Sequence, residues 1–505
     1  MRRLAVPLLR LLLPVAIPSA FLMACSRTQD AQADGEQGSS TELVGAEIPI
    51  TNSSEEAREL YLQGRRLSEN LRALDARPLL EEAVAKDPQF ASAYLLLATT
   101  APSPEEFSSN LEKAVANMAN ASEGERILIQ VTQAGVDGRA DEQLALLREL
   151  VEKYPGDARA HNALAGQLFF ALQEYDAGIA EYQRALEIDP GYSVAWNQMG
   201  YAARAAGRFD EAEQAFRKYI EVLPSEPNPY DSYAEFLMKM GRFDESIAQY
   251  RKALEADSTF TASDIGIANN QMLQGKGSEA RATMDALFAK APNDGIRTTA
   301  LLWKAAAWLH EGNRARAFEV LAERRAISER KSDWTTISGD DALIGRTLLD
   351  LGDVRAAAEG FASSVDAIEK ADVPEGIKEA TLRNHIYNEA LVALAEGDLA
   401  KAKEKAAAYH TAVQGPAVPF EFRQDHELMG RIALAENNGA EAVAHLEQAN
   451  QQDPRVLLLL APAYEASGDA QAAADMVRQA AEFNQLSFPL SYVRPEAQRM
   501  MATLS

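Results

Sequence analysis

Residues 192–224 read YSVAWNQMGYAARAAGRFDEAEQAFRKYIEVLP. Trp196, Met199, Gly200 and Ala203 recur at helical spacing, and Ala212, Phe216 and Tyr219 do so again after a break at Gly207. The spacing predicts a helical hairpin. Gly207 supplies the left-handed conformation that ends a first helix, and Pro224 forbids continuation of the second. Gly200 and Ala212 let two helix backbones approach, while Trp196, Phe209 and Phe216 fill the space beside them. One such hairpin cannot bury its apolar face alone, so it must stack on another.

The same pattern recurs at an interval of 34 residues, marked by Gly207, Gly241 and Gly275. Trp196 is answered by Tyr230, Phe209 by Phe243, Ala212 by Ser246 and Ala280, Phe216 by Tyr250 and Met284, and Pro190 by Pro224 and Pro292. A fixed period of this length is the signature of a helical solenoid. These residues resemble the tetratricopeptide repeat. Its pattern of large residue, small residue, turn glycine, aromatic, alanine, large residue and proline is met in 193–226 by Trp196, Gly200, Gly207, Phe209, Ala212, Phe216 and Pro224. Segment 227–260 keeps the register with Ser258 in the proline place. Degenerate copies follow around Gly312, Gly352, Gly397, Gly430 and Gly468 and precede around Gly64, Gly138 and Gly178. The resemblance implies an all-α, right-handed superhelical solenoid of about twelve hairpins. Its expected divisions are degenerate repeats over 53–156, well-matched repeats over 157–293, divergent repeats with insertions over 294–416, and C-terminal repeats with a capping helix over 417–505. The insertions are inferred because the glycine spacing from Gly275 to Gly397 exceeds 34.

The first residues point to an address. Arg2 and Arg3 precede an apolar stretch from Leu11 to Ala24, and no acid occurs before Asp30, the charge order of a secretory signal over 1–24. A membrane-spanning helix is the competing reading, and Arg10, Pro7, Pro14 and Pro18 leave fewer than the roughly 20 clean apolar residues it needs. Leu22-Met23-Ala24-Cys25 resembles the bacterial lipobox, and Cys25 is the only cysteine in 505 residues. The resemblance implies cleavage before Cys25 and covalent diacylglyceryl and N-acyl groups upon it, an attachment to the membrane by lipid alone. A chance cysteine in an ordinary signal peptide is the alternative. Ser26 resembles an outer-membrane sorting signal, where aspartate would imply inner-membrane retention. Residues 25–52 read as a flexible tether with a coil dimension on the order of 30 Å, and Ser53 with Glu56 as a capping box.

Composition narrows the partners. The formal charge is −25, and −28 without the three arginines of residues 1–24, which include no acid. A net acidic surface with no basic stripe disfavours nucleic acid. Catalytic motifs fail on their residues. His426-Glu427 begins like a zinc protease motif, but Gly430 stands where the second histidine belongs. The six histidines are scattered and imply no metal site. Gly275-Lys276-Gly277 with Ala280 mimics a dinucleotide fingerprint, yet it follows a predicted helix instead of a strand. No cofactor is expected beyond the lipid on Cys25.

In the family that these repeats resemble, the fifth, ninth and twelfth positions of the first helix line a concave groove. Carried onto this chain they are Gln167 and Phe170, then Asn197, Tyr201 and Arg204, then Asp231, Glu235 and Met238, then Asn269 and Met272. Their amides, hydroxyl and guanidinium suit an extended peptide, with Phe170 and Met238 for its apolar side chains. The alternative for each is a solvated inner face. The resulting expectation is a non-catalytic envelope lipoprotein that docks proteins or peptides of the cell envelope from the outer membrane, facing the periplasm. A carbohydrate-binding or nutrient-binding lipoprotein on the same scaffold is the alternative, and an exposed aromatic platform between 290 and 380 would favour it. Trp303 and Trp308 are its candidates, although Trp308 falls at a core position of the repeat.

Overall fold

The computed structural model describes residues 47–102, 104–414 and 419–504. The lipobox, Cys25 and most of the tether lie outside them. Among the described residues there is no strand, and 25 α-helices form twelve hairpins and a last helix. The first five hairpins are α1 (Glu55–Glu69) with α2 (Ala73–Lys86), α3 (Ala91–Thr99) with α4 (Pro104–Asn117), α5 (Glu123–Val136) with α6 (Ala140–Lys153), α7 (Ala158–Gly166) with α8 (Tyr175–Ile188), and α9 (Ser193–Ala205) with α10 (Phe209–Val222). Next come α11 (Pro227–Lys239) with α12 (Phe243–Ala256), α13 (Thr261–Leu273) with α14 (Gly277–Lys290), α15 (Asp294–His310) with α16 (Arg314–Arg330), and α17 (Trp334–Asp350) with α18 (Val354–Lys370). The last are α19 (Glu375–Glu396) with α20 (Leu399–Val413), α21 (Pro419–Ala435) with α22 (Gly439–Leu446), and α23 (Pro454–Ser467) with α24 (Ala470–Glu482), followed by α25 (Leu490–Leu504). This is the all-α solenoid architecture expected from the period.

Among the described residues, eleven of the twelve hairpin turns, all but that between α3 and α4, meet the same backbone demand. Gly207 has a φ of +75°, and ten further turns place one residue of positive φ there, including Leu71, Gln173 and Asn437. Between the helices of a hairpin, a glycine makes room for a large side chain. A Cβ on Gly200 would lie 2.8 Å from the Phe216 ring, and Gly64 against Leu80, Gly345 against Phe361 and Gly430 against Leu446 repeat the arrangement. The joints between hairpins also repeat. Trp196 Nε1 donates to Pro190 O at 2.9 Å, and one period later Tyr230 Oη donates to Pro224 O at 2.8 Å.

The stretched spacing after Gly275 is taken up inside helices. Those from α9 to α14 have 13 or 14 residues, α15 to α18 have 17 each, and α19 has 22. An added length near 3.6 residues is one full turn and keeps the packed face in register.

The helices divide into two compact units, one of residues 47–236 with Glu255–Asp257, the other of Leu237–Leu254 with residues 258–504. In the first, Arg159 on α7 holds Glu69 at the end of α1 at 2.6 Å, and Ser193 on α9 donates to Asn70 at 3.0 Å. Residues 47–54 of that unit have no regular structure, but half-buried and exposed residues alternate along them, as in an extended chain. Ile48 N donates to Asp157 at 3.0 Å, Thr51 N to Glu125 at 3.1 Å and Ser53 N to Asp87 at 2.6 Å, while Ser122 Oγ donates to Pro49 O at 2.7 Å. The tether expected through residue 52 is therefore pinned from Ile48 onward. Ser53 does not cap α1 either: its neighbour Ser54 is the N-cap and accepts from Ala57 N.

The second unit has the largest apolar cluster, which joins Met238, Met272, Met284, Leu301 and Ala305 with Phe483, Phe488, Leu490, Tyr492 and Val493. The chain after α24 thus folds back over the first helices of hairpins much earlier in the sequence.

Candidate partner-binding surfaces

In the first unit the predicted groove positions of α9 and α11 come together. Tyr201 Oη donates to Glu235 Oε2 at 3.1 Å and Arg204 Nη1 donates to Glu235 Oε1 at 2.8 Å. The Arg204 guanidinium lies 4.8 Å from the centre of the Tyr201 ring, which packs edge to face with Phe216 at a centroid distance of 5.2 Å. Burial, then the neighbouring Glu235 carboxylate, push the Tyr201 hydroxyl well above its ordinary pKa, so it stays a neutral donor. The Arg204 and Glu235 side chains remain 23% and 12% exposed. Asp231 is half-buried, and Asn197 is buried with its Oδ1 unpartnered.

Gln167 and Phe170 sit on a single π-helical turn, Gln167–Ala171, that follows α7. It ends at Gln173, whose φ of +58° occupies the place of Gly207 one period earlier. Phe170 is 43% exposed and leans on Phe169 with ring centroids 4.4 Å apart, and Leu172 beside it is exposed. Single π turns accompany functional positions often enough to be noted where an aromatic is also exposed.

The other three groove assignments are corrected. Met238 and Met272 are 0% and 1% exposed in the core of the second unit, and Asn269 is 2% exposed. Asn269 Nδ2 lies 3.0 Å from Met238 Sδ and 3.4 Å from Gln485 O. The Lys239 ammonium stands 4.1 Å over the Phe483 ring. They are buried against residues 483–493, which share the cluster of Met238 and Met272 and contact Asn269.

Sequence reasoning missed a second surface in that unit. A cleft of about 270 Å³ opens between α17, α19, α21 and the turn before α25, with Arg346, Asn384, Tyr387, Asn388, Gln424 and Tyr492 in its lining. Beneath it runs a network of ions. Arg346 bonds Asp350 at 3.2 Å, Glu427 at 3.1 Å and Tyr387 Oη at 3.2 Å. Arg431 holds Glu427 at 2.8 Å, Arg455 holds Asp453 and reaches Asp350 at 3.4 Å, and Tyr492 Oη donates to Asp350 at 2.9 Å. Burial pushes the Glu427 carboxyl up, but the guanidinium groups of Arg431, Arg346 and Arg455 outweigh it and bring its pKa down to about 2.

The remaining candidates find other roles. Trp303 and Trp308 are half-buried against the core of the second unit, and the Arg281 guanidinium covers the Trp308 ring at 3.6 Å. Neither forms an exposed platform. His426 and His445 face each other at 3.0 Å, and His410 pairs with Asp425 at 2.6 Å. Among the described residues no group of three or more His, Cys, Asp or Glu is placed to hold a metal ion. Gly275 turns the chain between α13 and α14 with a φ of +75°.

Family models described as tetratricopeptide repeat match residues 136–193, 181–214 and 237–309. The ER membrane protein complex subunit 2-A of Xenopus laevis is 32% identical over 107 residues, which are 21% of this chain and 36% of that protein. The chloroplastic tetratricopeptide repeat domain-containing protein PYG7 of Arabidopsis thaliana is 35% identical over 86 residues, 16% of this chain and 27% of that protein. The chain thus spans about a third of the length of these curated relatives. Among solved structures, a tetratricopeptide repeat protein from Parabacteroides merdae aligns over 54% of this chain and 93% of its own, with 17% identity and a TM-score of 0.33. YrrB, described as a TPR protein with an unusual peptide-binding site, aligns over 36% and 92% with 19% identity and a TM-score of 0.28. The hairpins of residues 136–214 and 237–309 are thus recognised as tetratricopeptide repeats by those family models.

Proposed function

We propose that this chain is a non-catalytic scaffold of the bacterial cell envelope. Acyl groups on Cys25 hold it to the outer membrane, facing the periplasm, and its groove docks proteins or peptides found there. Solenoids of this kind use their concave faces to bind partners. The observation that carries the docking half is the linked set Tyr201, Arg204 and Glu235 on consecutive first helices, half-open to solvent. Tyrosine and arginine are the side chains that most often anchor interfaces, and Phe170 adds an exposed aromatic of the same register. The anchoring half is supported by the charge order of residues 1–24 and by the lone cysteine after Leu22-Met23-Ala24.

The test is capture of envelope proteins from detergent-solubilised membranes by the intact chain and by a Tyr201→Ala, Arg204→Ala variant of equal helicity. Truncating two anchors should weaken a bound partner by about tenfold or more. An unchanged set of captured proteins would reject the groove.

A further inference from the structure

We propose that the cleft between α17, α19, α21 and the turn before α25 binds a neutral polyhydroxyl ligand the size of one sugar ring. The site lies in the second unit and does not depend on the groove at Tyr201.

Asn388 carries the argument. It is 5% exposed, lines the cleft, and its amide has no hydrogen-bond partner among the described residues. Its polar atoms are open to the cleft, so the amide can meet a ligand that displaces the water there. Asn384 lies one turn earlier on the same face of α19 and makes only a long contact, accepting from Gln424 Nε2 at 3.4 Å. Two amides in series therefore offer donors and acceptors side by side. A hydroxyl both gives and takes a hydrogen bond, and a pair of neighbouring hydroxyls matches one amide.

Charge selects against an ion. The floor sets the guanidinium groups of Arg346, Arg431 and Arg455 against the carboxylates of Asp350, Glu427 and Asp453, joined by bonds that use each group. A charged ligand would have to break a satisfied pair, whereas a neutral one leaves the balance intact. Size selects against a long chain. About 270 Å³ is below the roughly 300 Å³ at which pockets for larger ligands begin. Phe488, Pro489 and Tyr492 supply an apolar wall for the carbon–hydrogen face of a ring.

Replacing Asn388 by leucine breaks no hydrogen bond within the protein, so Asn388→Leu should fold with little loss of thermal stability. Glucose, galactose and N-acetylglucosamine at up to about 50 mM, followed by saturation-transfer NMR on the full chain, should include one that binds with a Kd of about 1 mM or tighter. Asn388→Leu and Asn384→Leu should each weaken it by about tenfold or more, and the Tyr201→Ala, Arg204→Ala variant should not. No binding by any of the three sugars overturns the proposal, as does binding that both leucine variants retain. Preference for a blocked dialanine peptide over every sugar overturns the ligand class.

Discussion

Two glycines of one hairpin are needed for unrelated reasons, and substitution separates them. At Gly200 the obstacle is a neighbour: an added Cβ would lie 2.8 Å from the Phe216 ring. At Gly207 nothing lies within 4 Å, and the obstacle is the backbone itself at a φ of +75°. Gly200→Ala should cost about 1–3 kcal/mol by overpacking and recover when Phe216 is also cut to leucine. Gly207→Ala should cost about 1 kcal/mol with no such rescue. Urea denaturation of Gly200→Ala and of Gly207→Ala, each with and without Phe216→Leu, checks both. The Gly200–Phe216 contact was legible because both partners lie within one period. Gly345 against Phe361 is the same contact at the same distances in sequence from its turn glycine, Gly352, and was open to the same reading. Met238, Asn269 and Met272 were expected to line an open groove, and they lie in a core instead. Their cover escaped notice because Gln485 is 216 residues from Asn269, and no local pattern reports such a contact.

Helices α17, α19, α21, α23 and α25 are held to one another by Arg346, Tyr387, Glu427, Arg455 and Tyr492. An unfolded glutamate titrates near 4.5, whereas Glu427 titrates at about 2 in the folded chain. Because the folded value is the lower one, its contribution to stability is complete above pH 4.5 and is lost as the pH falls through about 2. Glu427→Gln leaves Arg346 and Arg431 short of a counter-charge and should cost about 3–5 kcal/mol at neutral pH. The difference from the wild type should narrow below pH 4.5 and close near 2, measured as denaturation midpoints across that range. Little of this network was visible in advance. Arg346, Glu427 and Arg455 look like ordinary helix charges in sequence, and only the stacking of hairpins shows that they share a buried floor. The helices themselves were readable from apolar spacing and turn glycines. The added turns in α15 to α18 were read as insertions, because spacing shows that residues were gained without showing that a helix absorbs them.

At the level of the whole molecule, the formal charge of −28 expected after residues 1–24 are removed gives the chain little attraction for an anionic surface. On the proposed function, membrane retention then rests on Cys25. Cys25→Ser should abolish incorporation of labelled palmitate and release the protein from washed membranes, and continued labelling would reject the site. The extended segment ahead of α1 bears on how such a molecule is held. Its amides are bound by Asp157, Glu125 and Asp87, which belong to separate hairpins. A pull transmitted through the preceding chain is consequently shared among several hairpins at once and acts as shear across them, so the first helix is not peeled away from its end under load.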